Sequence, residues 1–140
     1  MIERSLVLIK PDAVERNLIG KILTIYEDNN LKIINMRLTK VSRELAEAHY
    51  IEHKGRDYYE NLISYIARSA VVAVVLEGEG AIALVRKLNG KTNPAEAEEG
   101  TVGRLYGLAT NQNSVHASDS PENAQREIEI WFPEKQLPSK

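Results

Sequence analysis

Three β-prone segments alternate with helical segments along this chain, and their order constrains the fold more than any other feature. The segments cover residues 5–9, 31–39 and 71–76. The first and third are continuous β-prone runs without alternating polar residues, which is typical of strands buried on both faces. In the second, Ile34, Met36 and Leu38 alternate with polar residues, which is the period of a β-strand.

Amphipathic segments fill the spaces between these strands. Helices are predicted at about 19–28, at 42–53 with Ser42 as the cap, at 59–66, at 78–88, and after Ser120, where Pro121 suits the first helical position. A polar loop is expected at 91–100 and a weak fourth strand at 105–109. The order predicts one domain over 1–140, an α/β sandwich with a tail at about 134–140. Its predicted fold is a ferredoxin-like split βαβ, with a four-stranded antiparallel sheet and helices on one face.

Charge and composition exclude several classes of function. The net charge of -2 provides no basic field for binding nucleic acid. The chain has no cysteine, so disulfides, thiolate metal sites and cysteine nucleophiles are excluded. The N-terminus has only a short apolar run, which resembles neither a signal peptide nor a membrane span. We therefore expect a cytoplasmic protein without a membrane partner.

Two short motifs suggest functions that their context does not support. Residues 78–83 match the G-x-G-x-x-A form of a dinucleotide fingerprint, but a long acidic loop follows where a parallel strand would be required. A plain strand-to-helix turn is the favoured interpretation. Residues 49–53 match H-x-x-E-H, a zinc-peptidase spacing, yet such a site needs a third ligand and a larger protein. A solvated helix face carrying His49 and His53 is favoured there.

His116 lies among small polar residues just before the last predicted helix, which is a position suited to chemistry. A neutral imidazole has one nitrogen free to act as a nucleophile, but the ring must be oriented. Glu127 lies at the edge of the inward face of the last helix, where an unpaired carboxylate would be costly. A hydrogen bond from His116 to Glu127 would satisfy the acid and fix the tautomer of the ring. The residues alone are equally consistent with two side chains that never meet.

Several other polar residues stand at the ends of predicted elements, where a cleft would form. Cationic, hydroxyl and amide side chains of this kind suit a polyphosphate, and an exposed aromatic ring suits a nucleotide base. Each of them alone is more typical of an ordinary surface. Together with a nucleophilic histidine and without a Walker-type glycine loop, they suggest phosphoryl transfer through a phosphohistidine. The residues are Lys10, Arg56, Tyr58, Arg86, Thr92, Arg104 and Asn113.

At these positions the chain resembles nucleoside diphosphate kinase over nearly its whole length. The most specific match is Asn-Ser-Val-His-Ala-Ser-Asp-Ser at 113–120. The supporting matches are Ile-Lys-Pro-Asp at 9–12, His-Tyr at 49–50, Leu-Glu-Gly at 76–78 and Gly-Lys-Thr-Asn-Pro-Ala at 90–95.

The resemblance implies a ping-pong enzyme that uses nucleoside di- and triphosphates, with Mg²⁺ arriving on the nucleotide. It implies His116 as nucleophile, Glu127 as its orienting partner and Ser118 as the support of both. It further implies a homo-oligomer, either a tetramer or a hexamer. The binding residues that it implies are Lys10 and Tyr50 near the transferred phosphate, Lys10 and Asn113 at the sugar, Arg56, Arg86 and Thr92 at the phosphates, and Tyr58 stacked on the base.

One departure from the family concerns a phosphate-binding arginine. Gly103 stands at its usual position and Arg104 follows, so the guanidinium is displaced by one residue and reaches the site only if the loop adjusts. Two other classes of function stay open. A catalytically silent nucleotide-binding module would need neither His116 nor Glu127, and a zinc hydrolase would use His49 and His53.

Overall fold

The computed structural model describes residues 1–90, 94–107 and 114–133, and this part of the chain contains one four-stranded antiparallel sheet. The strands are β1 (Ile2–Ile9), β2 (Lys32–Lys40), β3 (Ala70–Glu79) and β4 (Val115–Ala117). Their order across the sheet is β2-β3-β1-β4, so β1 pairs with β3 on one side and with β4 on the other. This order confirms the predicted ferredoxin-like fold.

Serine side chains cap the first turn of two of the helices. Ser42 accepts a hydrogen bond from the backbone N–H of Leu45, and Ser120 accepts one from that of Asn123, as N-caps do. None of the described helices is both long and apolar enough to cross a bilayer. The helices are α1 (Pro11–Glu15), α2 (Ile19–Asp28), α3 (Arg43–His49), α4 (Tyr59–Ile66), α5 (Ala81–Asn89), α6 (Val102–Tyr106) and α7 (Pro121–Trp131), with 3₁₀ turns at Ile51–His53 and Pro94–Glu96.

The sheet is covered on both faces, so the expectation of helices on one face was wrong. Leu6 and Leu8 of β1 point to a core formed with α3, α4 and α7. Val7 and Ile9 point to a second core formed with α1, α2, α5 and α6. Residues 6–9 of β1 are apolar at every position, and such a run requires cover on both sides because successive side chains point to opposite faces.

The fourth strand is not at 105–109, where the sequence predicted it. Thr101 caps α6 by accepting a hydrogen bond from the N–H of Arg104, so residues 102–106 are helical, and 108–109 lie outside the described residues. The fourth strand is instead β4, which pairs with β1 on the side away from β3 and places His116 opposite Leu8. A three-residue strand with polar neighbours gives too short a pattern to be recognised from the sequence.

The glycine motif at 78–80 is a strand-to-helix turn, as expected. Gly78 is still in β3, where a side chain would lie within 3.0 Å of Leu31. Gly80 adopts a left-handed conformation with φ 57° and precedes α5. The strand-helix-parallel-strand unit of a dinucleotide fold does not follow, since β3 and its neighbours are antiparallel.

Candidate active site

β4 places His116 on the sheet face covered by α3, α4 and α7. Directly paired residues of an antiparallel pair share a face, and His116 is paired with Leu8, whose side chain lies in that core. The loop before the strand is fixed to β1 by a 2.8 Å hydrogen bond from the Lys10 N–H to the carbonyl of Ser114. After the strand, the Ser118 N–H donates to the carbonyl of Leu6. The nucleophile candidate is therefore held by the rigid sheet rather than by a free loop.

Ser114, the residue just before β4, has an unfavourable backbone conformation that the hydrogen bonds of its side chain offset. Its φ of 78° is left-handed, a conformation that residues other than glycine seldom adopt. The buried hydroxyl donates to Oδ2 of Asp12 at 2.9 Å and also lies 3.1 Å from the carbonyl of Tyr106. The Tyr65 hydroxyl donates to the other oxygen of Asp12. Burial raises the pKa of Asp12, while its hydrogen bond with Ser114 and the charges of Lys10 and Arg16 oppose that rise.

Glu127 on α7 orients the ring of His116. Nε2 of His116 lies 3.2 Å from each carboxylate oxygen, and Ser118 Oγ donates to Oε1 at 2.7 Å. The side chain of Glu127 is 6% exposed, whereas that of His116 is 23% exposed. A carboxylate can only accept, so the hydrogen resides on Nε2 and the lone pair on Nδ1. No described residue makes a hydrogen bond to that Nδ1.

His49 packs against His116 on this face, and the expectation of a solvated helix carrying His49 was wrong. The side chain is buried, and the two rings meet edge to face with their centroids 4.6 Å apart. Trp131 Nε1 donates to His49 Nδ1 at 3.1 Å, so this nitrogen is an acceptor. Burial and the neighbouring charges lower the pKa of His49 well below its usual 6.5. His49 is thus a neutral neighbour of the candidate nucleophile.

A cleft of about 590 Å³ opens beside His116. Burial lowers the pKa of Lys10 to about 8, although the nearby carboxylate of Asp12 opposes this shift. The lining is predominantly cationic, with Glu98 as the acidic residue among the described ones. It includes Lys10, His53, Arg86, Lys87, Asn89, Glu98, Thr101 and His116.

The remaining predicted site residues fall into two groups: those that the structure describes away from the lining of the cleft, and those that lie outside the described residues. Tyr50 is buried near Glu127, and its pKa is raised to about 12 by burial and by that carboxylate. Arg56 and Tyr58 are exposed and, like Tyr50, are not part of the described lining. Arg104 is also outside it and donates to the carbonyl of Ala95 at 3.1 Å. The predictions for Thr92, Asn113 and the tail at 134–140 lie outside the described residues.

Sequence reasoning missed several residues of the site, among them His49, Lys87 and Thr101. His49 was assigned to a solvated helix face, because the H-x-x-E-H spacing alone does not show that this side chain packs against His116. Lys87 follows Arg86 on α5 and also lines the cleft. The position of Lys87 in the cleft becomes visible only when the course of α5 is known. Thr101 lines it as the cap of α6, a helix the sequence did not predict.

The two histidines of the H-x-x-E-H motif do not form a shared metal site among the described residues. Ligand atoms of His49, His116 and Glu127 lie within 4.8 Å of one another, but His53 is not part of that group. Nδ1 of His53 instead lies 2.8 Å from the hydroxyl of Tyr58. Within the group, His116 Nε2 contacts Glu127 and His49 Nδ1 accepts from Trp131, so hydrogen bonding explains the arrangement.

Comparison with known proteins identifies the family. The family model for nucleoside diphosphate kinase matches residues 3–137. A nucleoside diphosphate kinase of Clostridium perfringens (strain 13 / Type A) is 57% identical over 132 residues, which cover 94% of this chain and 92% of the relative. One of Methanocaldococcus jannaschii is 49% identical over 137 residues, which cover 98% of each chain. The crystal structure of the Aquifex aeolicus nucleoside diphosphate kinase matches with a TM-score of 0.95 at 35% identity and covers 99% of this chain and 100% of that one. This chain therefore belongs to the nucleoside diphosphate kinase family.

Proposed function

We propose that this phosphotransferase passes the γ-phosphoryl group of a nucleoside triphosphate to a nucleoside diphosphate through Nδ1 of His116. The observation that carries the proposal is the contact of Nε2 with both oxygens of Glu127 at 3.2 Å. This contact leaves the lone pair on Nδ1, in a residue that lines the cleft.

The two half-reactions balance without an external base. In the first, the Nδ1 lone pair attacks the γ-phosphorus, a P–N bond forms, and the P–O bond to the β-phosphate breaks as the diphosphate leaves with its electron pair. In the second, a terminal oxygen of the acceptor diphosphate attacks the same phosphorus and the P–N bond breaks, which returns the lone pair to Nδ1. Because phosphorylation makes the imidazole more positive, the Nε2–H···Glu127 bond strengthens during the first step.

Cationic side chains of the cleft would stabilise the phosphates. Lys10 and Arg86 line it beside His116, which supports a role for both at the phosphates. Lys87 lies on the same lining, and we assign it a phosphate contact as well. Arg104 would have to release the carbonyl of Ala95 to contribute a further arginine. Charge on both transferred and leaving groups makes such contacts a large part of phosphoryl-transfer catalysis.

The remaining residues predicted from the family resemblance are proposed as further contacts to the nucleotide. Tyr50 lies close to Glu127, which supports a role beside the transferred phosphate. Exposed Tyr58 offers a ring face for the base, and stacking tolerates every base because each has a π-face. Arg56 and Thr92 are proposed at the phosphates, and Asn113 at the sugar.

Members of this family use a divalent metal bound to the nucleotide. Among the described residues that line the cleft, Glu98 is the only carboxylate, whereas Lys10, Arg86 and Lys87 are cations. Such a lining lacks the oxygen ligands of a protein cage for Mg²⁺. It fits a metal that arrives with the polyphosphate as part of the substrate, and we propose Mg²⁺ in that role. A cytoplasmic location, a single domain and assembly into tetramers or hexamers belong to the same proposal.

A silent nucleotide-binding module is the competing function. Such a module has no need for a buried glutamate like Glu127, whose side chain is 6% exposed, contacts His116 and accepts a hydrogen bond from Ser118. Burying a carboxylate is costly unless hydrogen bonds compensate, so this network favours a reactive site.

Brief exposure to γ-labelled ATP tests the proposal. We expect a protein-bound phosphate that is acid-labile, alkali-stable and discharged by added GDP. The His116→Ala variant should take up no label, while His53→Ala, which alters another histidine of the cleft, should still be labelled at saturating ATP. Absence of label in the unaltered chain, or label that persists in His116→Ala, would overturn the mechanism.

A further inference from the structure

An unbroken series of ring contacts connects His116 to an exposed tyrosine. From His116 the series runs through His49 at 4.6 Å, Tyr50 at 4.8 Å and His53 at 5.9 Å to Tyr58 at 5.5 Å between successive ring centroids. All these contacts are edge to face, the geometry that aromatic rings favour. The buried half of the series is packed in the core, and its far end is exposed to solvent.

Tyr58 is held at that exposed end by a side-chain hydrogen bond. Its side chain is 45% exposed, and its hydroxyl lies 2.8 Å from Nδ1 of His53. His53 is partly buried and itself lines the cleft that contains His116. The bond does not depend on the tautomer of His53, because a tyrosine hydroxyl can either donate or accept.

We infer that His53 is a positioning residue that fixes the ring of Tyr58 as a stacking surface for the nucleotide base. This inference rests on the proposed function, because it assumes that a base contacts Tyr58. A tyrosine with nearly half of its side chain in solvent samples several rotamers, and a base that stacks on it must pay for their ordering. The His53 bond orders the ring before the nucleotide arrives. Its effect is thus on nucleotide affinity and not on the transfer step at His116.

Three substitutions separate the hydrogen bond from the ring. Tyr58→Phe keeps the stacking face and loses the hydroxyl, while His53→Leu keeps a side chain of similar bulk and loses the bond. His53→Asn restores a polar atom at the position of Nδ1. We expect each of the first two to raise KM for GDP about three- to tenfold, since tenfold corresponds to about 1.4 kcal/mol, with kcat changed less than about twofold. The Asn variant should recover most of the affinity.

The double variant provides the decisive measurement. If the two residues act through one bond, Tyr58→Phe combined with His53→Leu should be no worse than either change alone. Additive losses, an unchanged KM in Tyr58→Phe, or equal losses in kcat and KM would each overturn the inference. Lys54→Ala, an exposed change in the same turn, is the matched control.

Direct binding keeps this test independent of catalysis. Calorimetric titration of GDP into the same variants should show the same ranking of Kd. An unaltered chain that binds GDP but takes up no label from ATP would refute the phosphohistidine mechanism while the His53 inference stands. A labelled, active chain whose variants all bind GDP equally would refute the inference alone.

Discussion

Nε2 of His116 lies 3.2 Å from both carboxylate oxygens of Glu127, so one buried acid on α7 determines which nitrogen of the ring carries the lone pair. Ser118 donates to one of these oxygens at 2.7 Å and holds the acid in place. The proposed nucleophile thus depends on a residue eleven positions away in the sequence, which the packing of α7 against β1 brings within hydrogen-bond distance.

Glu127→Gln is expected to slow phosphorylation of His116 by at least about tenfold while nucleotide affinity stays nearly unchanged, because an amide no longer enforces one tautomer. Rapid-quench measurement of labelled phosphoenzyme gives the rate, and GDP titration gives the affinity. Ser118→Ala is the matched variant. It keeps the carboxylate of Glu127 but removes the hydrogen bond that holds it, so it should slow phosphorylation less than Glu127→Gln does. A parallel loss of affinity in Glu127→Gln would mean that Glu127 is structural instead.

His49 should make stability depend on pH in mild acid. Its folded pKa is depressed below 6.5, so the stability it contributes is present above pH 6.5 and is lost as the pH falls, at up to about 1.4 kcal/mol per pH unit. His49→Gln keeps an acceptor for Trp131 but cannot titrate. Urea unfolding at pH 7.5, 6.5 and 5.5 should show a shallower pH dependence in the variant. Identical slopes would contradict a neutral, buried His49.

Lys10 should take up a proton when a nucleotide binds near pH 8. Its pKa in the free protein is about 8, so roughly half of the side chains are neutral at that pH, and a bound polyphosphate favours the charged form. Titration in two buffers of different ionisation enthalpy should therefore show uptake of about half a proton at pH 8 and almost none at pH 6. Lys10→Met should abolish the uptake at pH 8. Uptake that persists in Lys10→Met would assign it to another group.

Lys87 and Arg104 should contribute unequally to phosphate binding. Lys87 lines the cleft, whereas the guanidinium of Arg104 donates to the carbonyl of Ala95. We expect Lys87→Ala to raise KM for ATP by about three- to thirtyfold, in the range of a charge-assisted hydrogen bond, and Arg104→Ala to raise it less. Steady-state kinetics at fixed GDP measures both. The reverse ranking would indicate that the loop rearranges and delivers Arg104 to the phosphates.

Ser114 should be a position where glycine is tolerated better than alanine. Both changes remove the hydroxyl that donates to Asp12, at a cost of about 1–3 kcal/mol in the free energy of unfolding. Glycine also relieves the left-handed backbone at φ 78°, so it should be about 1–2 kcal/mol less destabilising than alanine. Chemical denaturation of both variants measures the difference. Equal stability would show that the backbone at Ser114 is not under strain.

Local sequence patterns were sufficient to predict most of the helices and strands. The continuous β-prone runs at 5–9 and 71–76 correspond to the central strands β1 and β3, and Ser42 and Ser120 cap helices as predicted. These features depend on neighbouring residues in the chain, which the sequence displays directly. β4 was missed because a strand of three residues is defined by its pairing with β1 and not by its own composition.

The sequence by itself determined the family, through the motif around His116, and it predicted which residue types would handle a phosphoryl group. Only the tertiary structure decided that helices cover both faces of the sheet, that His49 packs on His116, that Lys87 lines the cleft and Arg104 does not, and that His53 holds Tyr58. The physical reason is that hydrogen bonds, burial and pKa shifts depend on distances between side chains, and those distances are set by packing between elements far apart in the chain.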